Sequence, residues 1–216
     1  MGMNDRDAPR IICDIETAPL LDAAEYLEDP NPPANYTKPE TIAAWVEKQK
    51  AADLARCALD LDLCRIVAIG VMLRIGEASP AVVCAINEDQ EAKALRVFWD
   101  LFSSGGHLIG FNCVNFDVPV LLRRSLYLGV QTPPIVVDKY RHPQITDLQQ
   151  ILSHYGAMKL RPLSFYARRF GLPALEGGGA EVPSWVAAGE WDKVEAHLRA
   201  DLVTTAALAR RMGHWA

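Results

Sequence analysis

The sequence predicts an α/β fold, a sheet with helices on both faces, and three observations carry that expectation. Short apolar or β-branched runs come first, at Arg10–Glu16, Arg65–Leu73 and Ala81–Ile86. After them, strand and helix patterns alternate, and a long helical segment from about Trp191 to Met212 closes the chain. That order suits a covered sheet better than a sandwich or a bundle. At 216 residues, with 50% hydrophobic and 23% charged, the chain can fill one core, so a single domain over 1–216 is expected. No internal repeat is visible.

Element by element, RIICDIE reads as a strand broken by acids. The proline-rich stretch Pro30–Pro39 and the helical composition of Glu40–Leu59 read as an inserted loop and surface helix, an insertion at about 25–60. Two β-branched runs follow as strands. Asn87 stands three residues before Gln90, a capping-box spacing, ahead of a helix of about four turns ending near Gly105. His107–Phe111 is the next strand. Asp117 can cap a helix running to Gly129, with Pro119 in its first turn. Asp147 and Gln150 form a second capping box for a helix near Ile151. Ser164–Phe170 is a short amphipathic helix stopped by Gly171 and Pro173, and Glu176–Glu181 is a glycine-rich loop.

The net charge of −5 argues against a broad electrostatic binder of nucleic acid, which needs many Lys and Arg against phosphates. It leaves room for an enzyme gripping a few nucleotides, particularly if divalent cations offset some carboxylates. Five scattered cysteines without a Cys-x-x-Cys pair suggest neither disulfides nor a zinc site. With a polar N-terminus and no long apolar stretch, a soluble cytoplasmic protein is expected.

Acids stand where a core should be. On a strand, alternation puts Asp14 and Glu16 on one face with Ile12, their carboxylates roughly 7 Å apart, and Ile11, Cys13 and Ile15 on the other. On a central strand such a pair requires a positive partner; on an edge strand water suffices. At about 100° per residue, Val194, Leu198, Leu202, Thr205, Ala209 and Met212 form a stripe roughly 80° wide on the last helix. Asp201 falls about 20° outside that stripe and His197 about 60° outside it. Asp117, in GFNCVNFDVPVLL, follows a strand directly; alone it is an ordinary helix cap.

Together these residues resemble the DEDD superfamily of 3′–5′ exonucleases, related to the proofreading exonuclease domains of DNA polymerases. Asp14, Glu16 and Thr17 match its Asp-x-Glu-Thr motif. Asn112, Phe116 and Asp117 match Asn-x-x-x-Phe-Asp, and His197 with Asp201 matches an aromatic or His shortly before Asp on the last helix. The segment KLRPLSFYARRFGLP fits as well, and the likeness runs from Arg10 to Met212. One departure concerns His197, which has the spacing of the family's Tyr type and the identity of its His type. The resemblance implies a ribonuclease H-like fold, a mixed five-stranded sheet whose second strand runs against the others.

It also implies two ions, Mg²⁺ or Mn²⁺, suited to hard oxygen ligands. Asp14 would bridge both, Glu16 and Asp201 would complete the first, and Asp117 would hold the second. His197 would position or deprotonate the attacking water. Thr17, Asn112 and Phe116 would contact the terminal nucleotide, with Phe116 equally suited to the core. The partner would be single-stranded nucleic acid, DNA before RNA. The alternatives are an endonuclease on the same fold, such as a ribonuclease H or junction resolvase, and a metal-poor nucleic-acid-binding module.

Weaker features remain. Asp60 and Asp62 read as solvated loop acids, and Gly177–Gly179 lacks the Lys of a phosphate-binding loop. Lys159, Arg161, Arg168 and Arg169 could guide a phosphate backbone, although a solvated face accounts for most of them.

Overall fold

The acid-bearing first strand, β1 (Arg10–Pro19), lies at the centre of the sheet and not at an edge. In the computed structural model, which describes residues 10–73, 79–138, 141–173 and 178–214, five strands run in the order β3-β2-β1-β4-β5. The others are β2 (Cys64–Leu73), β3 (Ala81–Cys84), β4 (His107–Gly110) and β5 (Ile145–Asp147). β2 is antiparallel to β1 and β3, while β1, β4 and β5 are parallel, which is the mixed sheet expected. β5 was absent from the pattern reading because three residues, ITD, are too few to show a period of two.

Both faces are covered. Ile11, Cys13 and Ile15 pack against Leu95, Phe98 and Phe102 of α2 (Glu88–Ser103) and Val118 and Leu121 of α3 (Asp117–Tyr127). On the other face, Ile12 and Ala18 meet Leu148 of α4 (Leu148–Leu152), Val182 of α6 (Val182–Ala188) and Leu198 and Leu202 of α7 (Trp191–Arg211). Leu163 and Tyr166 of α5 (Leu163–Phe170) join that second layer. The anticipated stripe of α7 is buried from Val194 through Ala209, with Met212 partly so.

The insertion carries α1 (Pro39–Arg56), 18 residues with none buried, a surface helix as its polar faces indicate. Caps follow the sequence with small shifts. The Asn87 side chain accepts from Gln90 N at 3.0 Å, but Gln90 Oε1 turns to Ile86 N, one residue earlier than a capping box requires. α5 ends on Gly171 at φ 62°, the left-handed conformation that glycine adopts without strain. The first two residues of the glycine-rich stretch, 176 and 177, lie outside the described residues; Gly179–Glu181 form a 3₁₀ turn leading into α6. α6 is a further element missing from the pattern reading, being only seven residues long.

On the α2 side, a buried ion pair joins the layer to the sheet. Arg124 donates to both oxygens of Glu91, at 2.7 and 2.8 Å, and Glu91 also accepts from Ile66 N at 2.9 Å. The five cysteines are free. Among the described residues, no helix is long and apolar enough to cross a membrane.

Candidate active site

β1, α3 and α7 each deliver acids to one end of the second layer. β1 is paired on both sides, so its backbone is fixed, and alternation aims Asp14 and Glu16 towards α7. α7 can come close because the residue opposite Asp14 on β2 is Gly70. A Cβ at Gly70 would lie 2.6 Å from Leu202 Cδ1 and 2.9 Å from Leu198 Cγ. The missing methyl thus sets how near Asp201 and His197 stand to β1. Nothing in sequence periodicity signalled this.

Asp117 arrives differently from the expected cap. It is the first residue of α3, one past the N-cap Phe116, and its Oδ1 accepts from Ile15 N of β1 at 3.2 Å. The loop before it is held by Asp147, whose carboxylate accepts from Asn112 N and Val114 N at 3.0 Å each and from Gln149 N and Gln150 N at 2.9 and 3.2 Å. Asp147 therefore does more than cap α4. Asn112 takes φ 63°, a left-handed conformation tolerated by Asn better than by most residues.

The carboxyls of Asp14 and Asp117 stand close enough that each shifts the titration of the other. His197 Nε2 lies 3.5 Å from Glu16 Oε1 and 3.7 Å from Asp201 Oδ2. One ligand atom each from Glu16, His197 and Asp201 fits within 4.8 Å. His197 is buried, although the helical angle placed it well off the stripe. The reason is α6, whose Trp185 meets the imidazole edge-on with ring centroids 5.8 Å apart. Gly179 closes another side, where a Cβ would lie 3.7 Å from Glu16 Oε2.

Burial and mutual repulsion dominate the electrostatics. Burial, then Asp201 and Asp117, pushes the Glu16 carboxyl from 4.5 up to about 8. Burial raises Asp117 to about 7, although hydrogen bonds from Asp14 and from the backbone N–H groups of Asp117 and Ile15 oppose the rise. Asp14 is driven well above the ordinary carboxylate range by burial and by Asp117, Glu16 and Asp201. Burial also raises Asp201, against the pull of His197. Among the described residues, no Lys or Arg forms an ion pair with any of the four. Four carboxyl groups and one imidazole without a cationic side chain form a donor set that fits hard divalent cations.

The residues expected to contact substrate lie in different surroundings. Asn112 is half-buried on the loop beside Asp117. Phe116 is half-buried and packs on the α2-side core, as its alternative role had it. Thr17 is buried, and its hydroxyl donates to Ala58 O at 2.6 Å, securing the end of the insertion. Sequence reasoning missed Trp185, Gly70 and the loop-holding role of Asp147.

The profile of a family described as predicted 3′–5′ exonucleases related to the exonuclease domain of PolB matches residues 58–215, nearly three-quarters of the chain. The chain belongs to this family of predicted exonucleases. The matched span holds Asp117, His197 and Asp201, while Asp14 and Glu16 precede it on β1. No curated protein matches the chain. Among solved structures, it is similar to the family B DNA polymerase of the hyperthermophilic archaeon Pyrobaculum calidifontis, at 17% identity and TM-score 0.61, over 95% of this chain and 24% of that one. It is also similar to a product-bound structure of exonuclease I, at 11% identity and TM-score 0.52, over 94% of this chain and 43% of that one. The chain spans less than half the length of either structure, and the fold is ribonuclease H-like.

Proposed function

We propose that this protein is a metal-dependent 3′–5′ exonuclease that hydrolyses single-stranded DNA, or frayed 3′ ends, to nucleoside 5′-monophosphates. One observation carries the reading: Asp14, Glu16, Asp117 and Asp201, from three separate elements, gather with His197 in a partly buried cluster that no Lys or Arg among the described residues offsets. Keeping such a cluster unpaired costs stability, and a binding site for cations gives it a purpose.

Asp14, Glu16, Asp117 and Asp201 would hold two divalent cations, Mg²⁺ or Mn²⁺, between them. When bound, such ions supply charge for the transition state and an acidified water. His197 is held by Trp185 with Nε2 between Glu16 and Asp201, where it would orient the attacking water and accept its proton. Asn112, beside Asp117, and the exposed part of Phe116 would receive the terminal nucleotide. Thr17 would act through the Ala58 contact that holds the end of β1.

The test is digestion of a 5′-labelled single-stranded DNA oligonucleotide with Mg²⁺, Mn²⁺ or EDTA, beside the Asp14→Asn, Asp201→Asn double variant and a circular strand. A metal-dependent ladder shrinking from the 3′ end, lost in the variant and with the circle intact, is the expected result. Cleavage of the circle overturns it in favour of an endonuclease. Metal-independent or absent cleavage overturns it altogether.

A further inference from the structure

Between Asp147 and Glu176 this acidic chain contains no Asp or Glu at all, yet it carries Lys159, Arg161, Arg168 and Arg169. Among the described residues none of these four cations forms an ion pair. Three of them converge on α5. This helix buries Ala167 and turns Leu163 and Tyr166 inward, which leaves Phe165, Arg168 and Arg169, three and four residues apart, on its outer face. The guanidinium of Arg161 lies over the Phe165 ring, 4.8 Å from its centroid. An aromatic ring kept half in water among unpaired cations contributes little to a core.

The place of this face matters as much as its chemistry. α5 packs in the same layer as α7, which carries His197 and Asp201. Its inward Tyr166 meets Phe111, directly before Asn112, with centroids 6.0 Å apart. Gln149 Nε2 donates to Arg161 O at 3.1 Å, tying the start of this surface to the element after β5.

We propose that Phe165, with Arg161, Arg168 and Arg169, forms the track along which the single strand runs away from the site, phosphates on the arginines and a base stacked on Phe165. Single strands are bound in this way elsewhere by basic grooves interleaved with aromatic rings, without reading sequence. The surface is local, which is compatible with a net charge of −5 because only a few phosphates are neutralised. This proposal rests on the nuclease reading, since it presupposes a strand whose end is in the acid cluster.

The test measures binding of a fluorescein-labelled oligothymidylate by anisotropy across a salt series, in the cleavage-deficient Asp14→Asn, Asp201→Asn background. Adding Arg168→Gln and Arg169→Gln should lower the slope of log affinity against log salt by about 1.4, at about 0.7 per phosphate contact on single strands. Phe165→Leu, which keeps apolar volume, should weaken binding about 5-fold or more and leave the slope unchanged. Lys93→Gln with Arg96→Gln, an equal charge change on exposed positions of α2 in the other layer, should alter neither. An unchanged slope for the α5 pair, or an equal fall for the α2 pair, overturns the track while leaving the nuclease reading intact. No binding by the background protein, together with no digestion by wild type, overturns both.

Discussion

Replacing Glu16 by Gln should make the metal-free protein more stable, and the gain should grow with pH. The Glu16 carboxyl titrates near 8 in the folded protein and near 4.5 when free of it. Between those values the native state binds more protons than the unfolded chain, so stability falls as pH rises. The fall begins above about pH 4.5 and is complete once pH passes about 8. At about 1.36 kcal/mol per pH unit, full ionisation of Glu16 costs about 5 kcal/mol. That is an upper bound, because Asp14, Asp117 and Asp201 titrate with Glu16 and share the repulsion. Gln keeps the shape of Glu and removes the charge. In urea denaturation with EDTA, wild type and Glu16→Gln should coincide near pH 4 and separate by several kcal/mol near pH 9, the variant being the more stable. Added Mn²⁺ should close the gap at high pH by stabilising the wild type, since only a ligand that prefers the native state can do so. A gap that does not change with pH, or a variant weaker than wild type at pH 9, would refute the account of the cluster.

Other changes act through position. Asp147→Ala strips four backbone N–H groups of their acceptor and should cost about 3 kcal/mol or more by chemical denaturation, with loss of nuclease activity as the Asn112–Asp117 loop drifts. Gly70→Ala should push α7 away from β1, destabilise by about 1–3 kcal/mol and lower activity; a neutral melting curve would show that Leu198 and Leu202 yield freely. Glu91→Ala leaves the buried Arg124 only the exposed Glu88, at 3.6 Å, and takes the acceptor from Ile66 N, so it should cost about 3–5 kcal/mol in a urea titration. Trp185→Ala should lower activity more than stability, because it removes the cover that holds the His197 ring, and nuclease assays beside melting curves would separate the two effects.

The sequence by itself determined the elements whose signal is local and long. The β1 alternation that sends Ile11, Cys13 and Ile15 to one layer and Ile12, Asp14 and Glu16 to the other is a period of two, and it holds in the structure. The apolar stripe of α7, the exposed insertion helix α1 and the Asn87 cap were legible for the same reason. What only the tertiary structure decided depends on neighbours distant in sequence. Asp14 and Glu16 suit an edge strand and a central strand equally until β2 and β4 pair on both sides of β1 and remove the solvated alternative. Asp117 reads as a cap until Ile15 N claims its oxygen, and Asp147 as a cap until Asn112 and Val114 do the same. His197 lies outside the helical stripe by angle, and it is buried between Glu16 of β1 and Trp185, which a seven-residue helix lays against its ring. A helical angle measures direction from one axis, whereas burial depends on everything that packs around that axis.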